Sequence, residues 1–207
     1  MNVKSAIFLL ALLTLCFPNA AYAHLVSTRF GEFYNGMLHP TTTLLHALPW
    51  LTLGFLAAFQ PLKHARIILI VFPLAVMLGA ILGYLFGVTL GSAPIVFVEY
   101  INLASILILG SLVVMGTQLP LSIAIGLAIL FGLSHGHANA NLELAGSGYL
   151  LYLGGIMLAA YLSLCFTSAA SIAMTSKYTW GRTAIRAGGS WVLAVGIIFS
   201  GFTLLNI

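Results

Sequence analysis

The chain has 207 residues, 61% hydrophobic and only 5% charged, with a mean hydropathy of +1.13. Soluble domains carry roughly a quarter charged residues, so a water-soluble fold is excluded and the surrounding solvent is lipid. Seven Lys or Arg stand against three Glu and no Asp, but the cations are scattered through short loops and form no patch, so the basic balance does not point to nucleic acid.

The chain opens with Met1-Asn2-Val3-Lys4, an apolar run from Ala6 to Phe17, and Ala21-Tyr22-Ala23. A positive start, a short apolar core and an Ala-x-Ala ending predict a signal peptide over 1–23, cleaved after Ala23. The run is too short to span comfortably as an uncleaved anchor. Cys16 lies in this leader and Cys165 in a later apolar stretch, so no disulfide framework is expected.

Apolar segments of spanning length then recur at about 41–60, 67–89, 95–116, 119–137, 148–170 and 187–206. The expected fold is an all-α, polytopic transmembrane helical bundle of about six spans over residues 24–207. The separators are polar or turn-forming: Gln60 to Arg66, Gly91 to Pro94, Gln118 with Pro120, Asn139 to Gly148, and Ser171 to Arg186. A cleaved signal peptide places residue 24 outside the cytoplasm, so loops 60–66 and 171–186 fall inside. Together they hold five of the seven basic residues, as the positive-inside rule requires. This predicts an inner (cytoplasmic) membrane location in a bacterium, with both mature termini periplasmic. Gly79, Gly83 and Gly87 recur at every fourth residue, a stripe that lets another helix approach closely.

With that topology the polar residues gather on the outer side. His39 and His46 open the first span; they are seven residues apart, so on a continuous helix they share a face about 10 Å apart along the axis. Pro40 fits the first turn of a helix. Glu99 and Asn102 lie three apart in the first turns of the third span. His135 and His137 end the fourth, and Asn139, Asn141 and Glu143 follow. If that segment is helical, His135 and His137 point different ways, one to the bundle and one to its surface.

Ionisable groups in a bilayer usually face a cavity or a partner, and imidazoles with a carboxylate suit a divalent transition metal such as nickel, cobalt, zinc or copper. Singly, each residue reads as an interfacial group at headgroup depth. Together on one side they read as ligands or as a permeation path. The metal candidates are His39, His46, His135, Glu99 and His137, with weaker contributions from His24, Asn102, Asn139 and Glu143. His24 enters because signal cleavage would leave it as a free amino terminus beside its own imidazole, a chelating pair.

The stretch Gly36-Met37-Leu38-His39-Pro40-Thr41-Thr42-Thr43-Leu44-Leu45-His46, with Ala23-His24 before it, resembles the HupE/UreJ family. That family's first-span pattern is His-Pro-x-x-Gly-x-Asp-His. Its second hallmark, His-Gly-x-Ala-His-Gly, is similar to His135-Gly136-His137-Ala138-Asn139-Ala140. Leu45 stands where the family has Asp, Thr43 where it has Gly, and Asn139 where it has the second His. The signal peptide, the six spans and the motif order extend the resemblance over essentially the whole chain.

The resemblance implies a secondary transporter importing nickel or cobalt for hydrogenase or urease maturation, with metalloenzyme maturation proteins as partners. The metal is cargo, no cofactor is permanently bound, and the chain is not an enzyme. A membrane metal-binding accessory factor that does not transport is the second reading. An intramembrane hydrolase built on Ser134, or a haem protein using His46 and His135, is the third. The oligomeric state is not legible in the residues.

Overall fold

The computed structural model describes residues 23–90 and 96–205, with side chains over 31–89 and 97–203. The expected signal peptide, the side chain of His24 and the segment 91–95 lie outside the described residues. The described residues form seven helices and no strand: α1 Ala23–Thr42, α2 Leu44–Ala57, α3 Leu62–Leu90, α4 Val96–Met115, α5 Leu121–Ala138, α6 Gly146–Lys177 and α7 Gly181–Leu205.

Five of these, α3 to α7, are long and apolar enough to cross a membrane. The sixth expected span is where the structure departs from the sequence. The helix begins at Leu44 rather than near 41, and α2 has 14 residues, about 21 Å at 1.5 Å each and short of a hydrocarbon core of about 30 Å. It is preceded by α1 across a single extended residue, Thr43, at φ −93° and ψ 112°.

The break has a local cause. Pro40 has no N–H to continue the helical ladder. The next three hydroxyls bond back to preceding carbonyls: Thr41 to Met37 at 3.0 Å, Thr42 to Leu38 at 2.8 Å and Thr43 to His39 at 2.9 Å. The carbonyls at the end of α1 therefore have partners while the chain leaves the helix, and Thr43 O restarts it by accepting from His46 N and Ala47 N at 2.9 Å each.

Helix directions follow from close contacts. Gly79 and Gly83 of α3 meet Leu133 and His137 of α5, so these helices run parallel, and Gly132 and Gly136 of α5 in turn receive Ala75 and Val76. The glycine stripe does what its spacing predicts, on both partners at once. Glu32, Gly36 and Gly54 lie beside Gly148, Tyr152 and Thr167, so α1 and α2 both follow α6. Val113, Gly110 and Ile106 meet Gly189, Leu193 and Gly196, so α4 and α7 are antiparallel. The helices α2 to α7 therefore alternate in direction, as the expected topology demands. We call the end bearing His46 and His135 outer, and the opposite end inner.

Along α3, Phe72, Val76 and Ala80 point into the core while Ile70, Leu74 and Leu78 are exposed. Both stripes are apolar. The exposed one faces acyl chains, where apolar surface costs nothing.

At the inner end α4 closes on Gly116, whose φ of 66° belongs to the left-handed region that glycine enters without strain. Thr117 N to Leu112 O at 3.1 Å and Gly116 N to Val113 O at 3.0 Å complete a Schellman cap. Gln60 holds the turn that follows: its Nε2 donates to Thr117 O at 2.8 Å and its Oε1 accepts from Leu119 N at 2.9 Å. The expected inner loop 171–186 is almost entirely helical. Hydroxyls at Thr175 and Ser176 bond back within their own turn, α6 runs on to Lys177, and only residues 178–180 link it to α7.

Candidate functional site

Two of the expected ligands meet. His46 on α2 is 7% exposed and His135 on α5 is fully buried; their Nδ1 atoms are 2.9 Å apart and their rings meet edge to face at 83°. The glycines flanking His135 explain its burial. Gly132 and Gly136 bring α5 against the backbone of α3, and the neighbouring face of α5 then presents His135 to α2 and α4.

The second nitrogen of His135 has a partner that the sequence reading did not single out. Ser105 Oγ lies 2.9 Å from His135 Nε2 and donates its own proton to Asn102 O at 2.6 Å. A hydroxyl has one proton, so toward His135 it acts as acceptor and Nε2 carries the hydrogen. The Nδ1 of His135 is then a lone pair, and His46 Nδ1 donates to it. The network thus assigns the tautomer. Beside it, Ser134 Oγ donates to Asn102 Oδ1 at 2.7 Å, holding α5 to α4.

The outer wall is tied to the same point. Asn139 Nδ2 donates to His135 O at 2.7 Å, and Tyr152 Oη donates to Asn139 O at 3.1 Å. Tyr152 also lines an open cleft of about 610 Å³ with Asn35, His39, Asn141 and Glu143. His39 therefore belongs to the cleft rather than to the buried pair. The break at Thr43 falls between His39 and His46, so the shared face expected of a continuous helix does not form.

The other candidates are dispersed. Glu99 is exposed in the first turn of α4, one turn outward of buried Asn102. The backbone of His137 meets Gly83 of α3, its side chain is half-buried, and it is not part of the His46–His135 contact. Among the described residues no three His, Cys, Asp or Glu side chains come together as a metal cage. Three buried atoms near the pair have no protein partner: Trp50 Nε1, four residues after His46; His137 Nε2; and Asn139 Oδ1, four residues after His135. Buried polar atoms of this kind call for water or an ion.

Ser105 was legible in principle, because it extends the spacing of three already set by Glu99 and Asn102 along one face of α4. Tyr152 had no such signal, being one aromatic among many in an apolar span.

A family model described as HupE / UreJ protein matches residues 11–199. The chain belongs to that family, whose members are membrane proteins of accessory or nickel/cobalt transport-related role. No curated protein and no solved structure matches it.

Proposed function

Starting from membership of the HupE/UreJ family, we propose that this protein is a secondary transporter that takes up a divalent transition-metal ion, nickel or cobalt, through the His46–His135 pair. The pair is the observation that carries the reading: two neutral imidazoles on different helices, each with Nδ1 at the contact. Nitrogens about 2.05 Å from one ion and at right angles to each other lie about 2.9 Å apart, the spacing found here. Right-angled nitrogen sites suit nickel and octahedral or square ions in general.

The sequence of events follows from the surroundings. The ion, as substrate, collects in the cleft beside His39 and Glu143, where a carboxylate and an imidazole offer first contacts. It then displaces the hydrogen bond between the two histidines. His135 keeps its proton on Nε2, held by Ser105, and offers Nδ1; His46 shifts its proton to Nε2 and does the same. Two protein ligands make an incomplete cage, and incompleteness suits passage, since conduction requires binding weak enough to leave. Trp50, one turn inward, supplies a polar N–H for the ion's water on the way.

The positive-inside distribution supports placing the histidine pair and its cleft on the periplasmic side of the inner membrane, and the proposed uptake then runs inward, toward proteins that mature metalloenzymes. The enzyme readings fit the geometry less well. Ser134 contacts Asn102 rather than an imidazole. Ser105 has a base at 2.9 Å, but it has no exposed surface for a substrate and its proton is committed to a carbonyl. A haem between His46 and His135 has no room where their nitrogens are in direct contact.

The test is metal accumulation by proteoliposomes and by cells with and without the gene. Wild type is expected to accumulate nickel or cobalt, and His46→Ala with His135→Ala to lose at least tenfold of the initial rate, on the order of a ligand-sphere defect. Uptake unchanged by the double substitution would overturn the reading. Metal bound by the purified protein without any accumulation would move it to a non-transporting accessory factor.

A further inference from the structure

The inner end carries a feature that metal uptake does not use. Between α3 and α6 runs an open groove of about 340 Å³, lined by Leu62, Leu69, Cys165, Ala169 and Ile172, with exposed Arg66 beside them. Small side chains make it: Ala65 of α3 and Ala169 and Ala173 of α6 line the same space, so the two helices leave a furrow instead of closing on one another.

The charge around this furrow is unbalanced. The carboxylate side chains of the sequence are Glu32, Glu99 and Glu143, and all three belong to the outer end. At the inner end Arg182 lies over the Phe59 ring at 5.2 Å and Arg186 Nε donates to Val114 O. Arg66 and Lys63, three residues apart on α3 and both exposed, have no carboxylate at their end of the bundle among the described residues. Any anion that pairs with them comes from beyond the described residues.

We propose that the groove binds an anionic glycerophospholipid, one acyl chain lying along the apolar lining and the phosphate held by Arg66. Basic pockets between spanning helices on the cytoplasmic side hold anionic headgroups, and a guanidinium meets two phosphate oxygens at once. A zwitterionic lipid fills the furrow with the same chain but brings its own ammonium, so selectivity resides in the net charge of the headgroup. This assignment is independent of the metal site.

The experiment is native mass spectrometry of the full chain in uncharged detergent, offered phosphatidylglycerol or phosphatidylethanolamine with matched chains. A second readout is the rate of maleimide modification of Cys165 in the groove. The wild type is expected to retain phosphatidylglycerol about fivefold over the zwitterionic lipid, the effect of one cation near a headgroup, and phosphatidylglycerol alone is expected to slow Cys165 modification. Arg66→Gln removes the preference. Ala169→Leu fills the furrow, keeps the cations and loses retention of both lipids. Equal retention of the two lipids by wild type overturns the proposal, and so does a preference that survives Arg66→Gln. Phosphatidylglycerol retained undiminished by Ala169→Leu, or displaced by inorganic phosphate alone, also overturns it, because the headgroup is then held without a chain.

Discussion

Among the described residues, the helix-to-helix hydrogen bonds that join side chain to side chain lie at the outer end of the bundle, and the links that tie the inner end run to backbone. His46 meets His135, His135 meets Ser105, and Ser134 meets Asn102. Across the bundle, Gln60 holds Thr117 and Leu119, and Arg186 reaches Val114 O. Side-chain links between neutral groups can be exchanged for a ligand, because each partner keeps a lone pair to offer. Links to backbone cap helix ends and staple turns, and breaking them leaves orphan amides or carbonyls. On the proposed function the difference separates an end that binds from an end that holds, and it can be tested by the readout each substitution moves.

The largest effect is expected at His135. His135→Ala removes one of the two proposed ligands and should weaken nickel or cobalt binding by more than tenfold in isothermal titration, whereas a change below twofold would erase the distinction between the ends. Ser105→Ala should come next, weakening metal binding about tenfold, the lower end of what outer-shell partners of a metal-binding His contribute. It also releases the tautomer of His135, which nitrogen NMR reads in the metal-free protein. Ser105→Thr keeps the hydroxyl and should restore both signals. An unchanged tautomer in Ser105→Ala would show that the hydroxyl does not set it, whatever happens to the metal.

At the inner end the readout reverses. Gln60→Ala strands Leu119 N–H and Thr117 C=O and should cost about 2 kcal/mol of stability, seen as a lower thermal midpoint with metal affinity unmoved. Smallest is Arg182→Gln, which removes a cation from the Phe59 ring at a solvent-facing position and should cost about 0.5 kcal/mol. A metal-binding defect in either variant would mean that the two ends are coupled.

Much of this was readable from residues. The run of apolar segments announced helices in lipid, the glycines at 79, 83 and 87 announced a close helix contact, and the clusters at 60–66 and 171–186 are the ones that meet at the inner end. The site was readable in part. His46 and His135 were identified by the cost of placing imidazole in a membrane, but nothing in the order of residues says that Glu99 is exposed while Asn102, one turn on, is buried. The break at Thr43 escaped because Thr-Thr-Thr after Pro40 is compatible with a first helical turn. At that end three hydroxyls bond back to three carbonyls, contacts that depend on rotamers rather than on composition.

The residues by themselves determined the solvent, the helical class and the end at which chemistry collects, because hydropathy, charge asymmetry and glycine spacing act locally and additively along the chain. Only the tertiary structure decided which histidines touch and which proton each one carries. Those depend on two glycines letting α5 sink against α3, and on a serine thirty residues away arriving with its own hydrogen already committed.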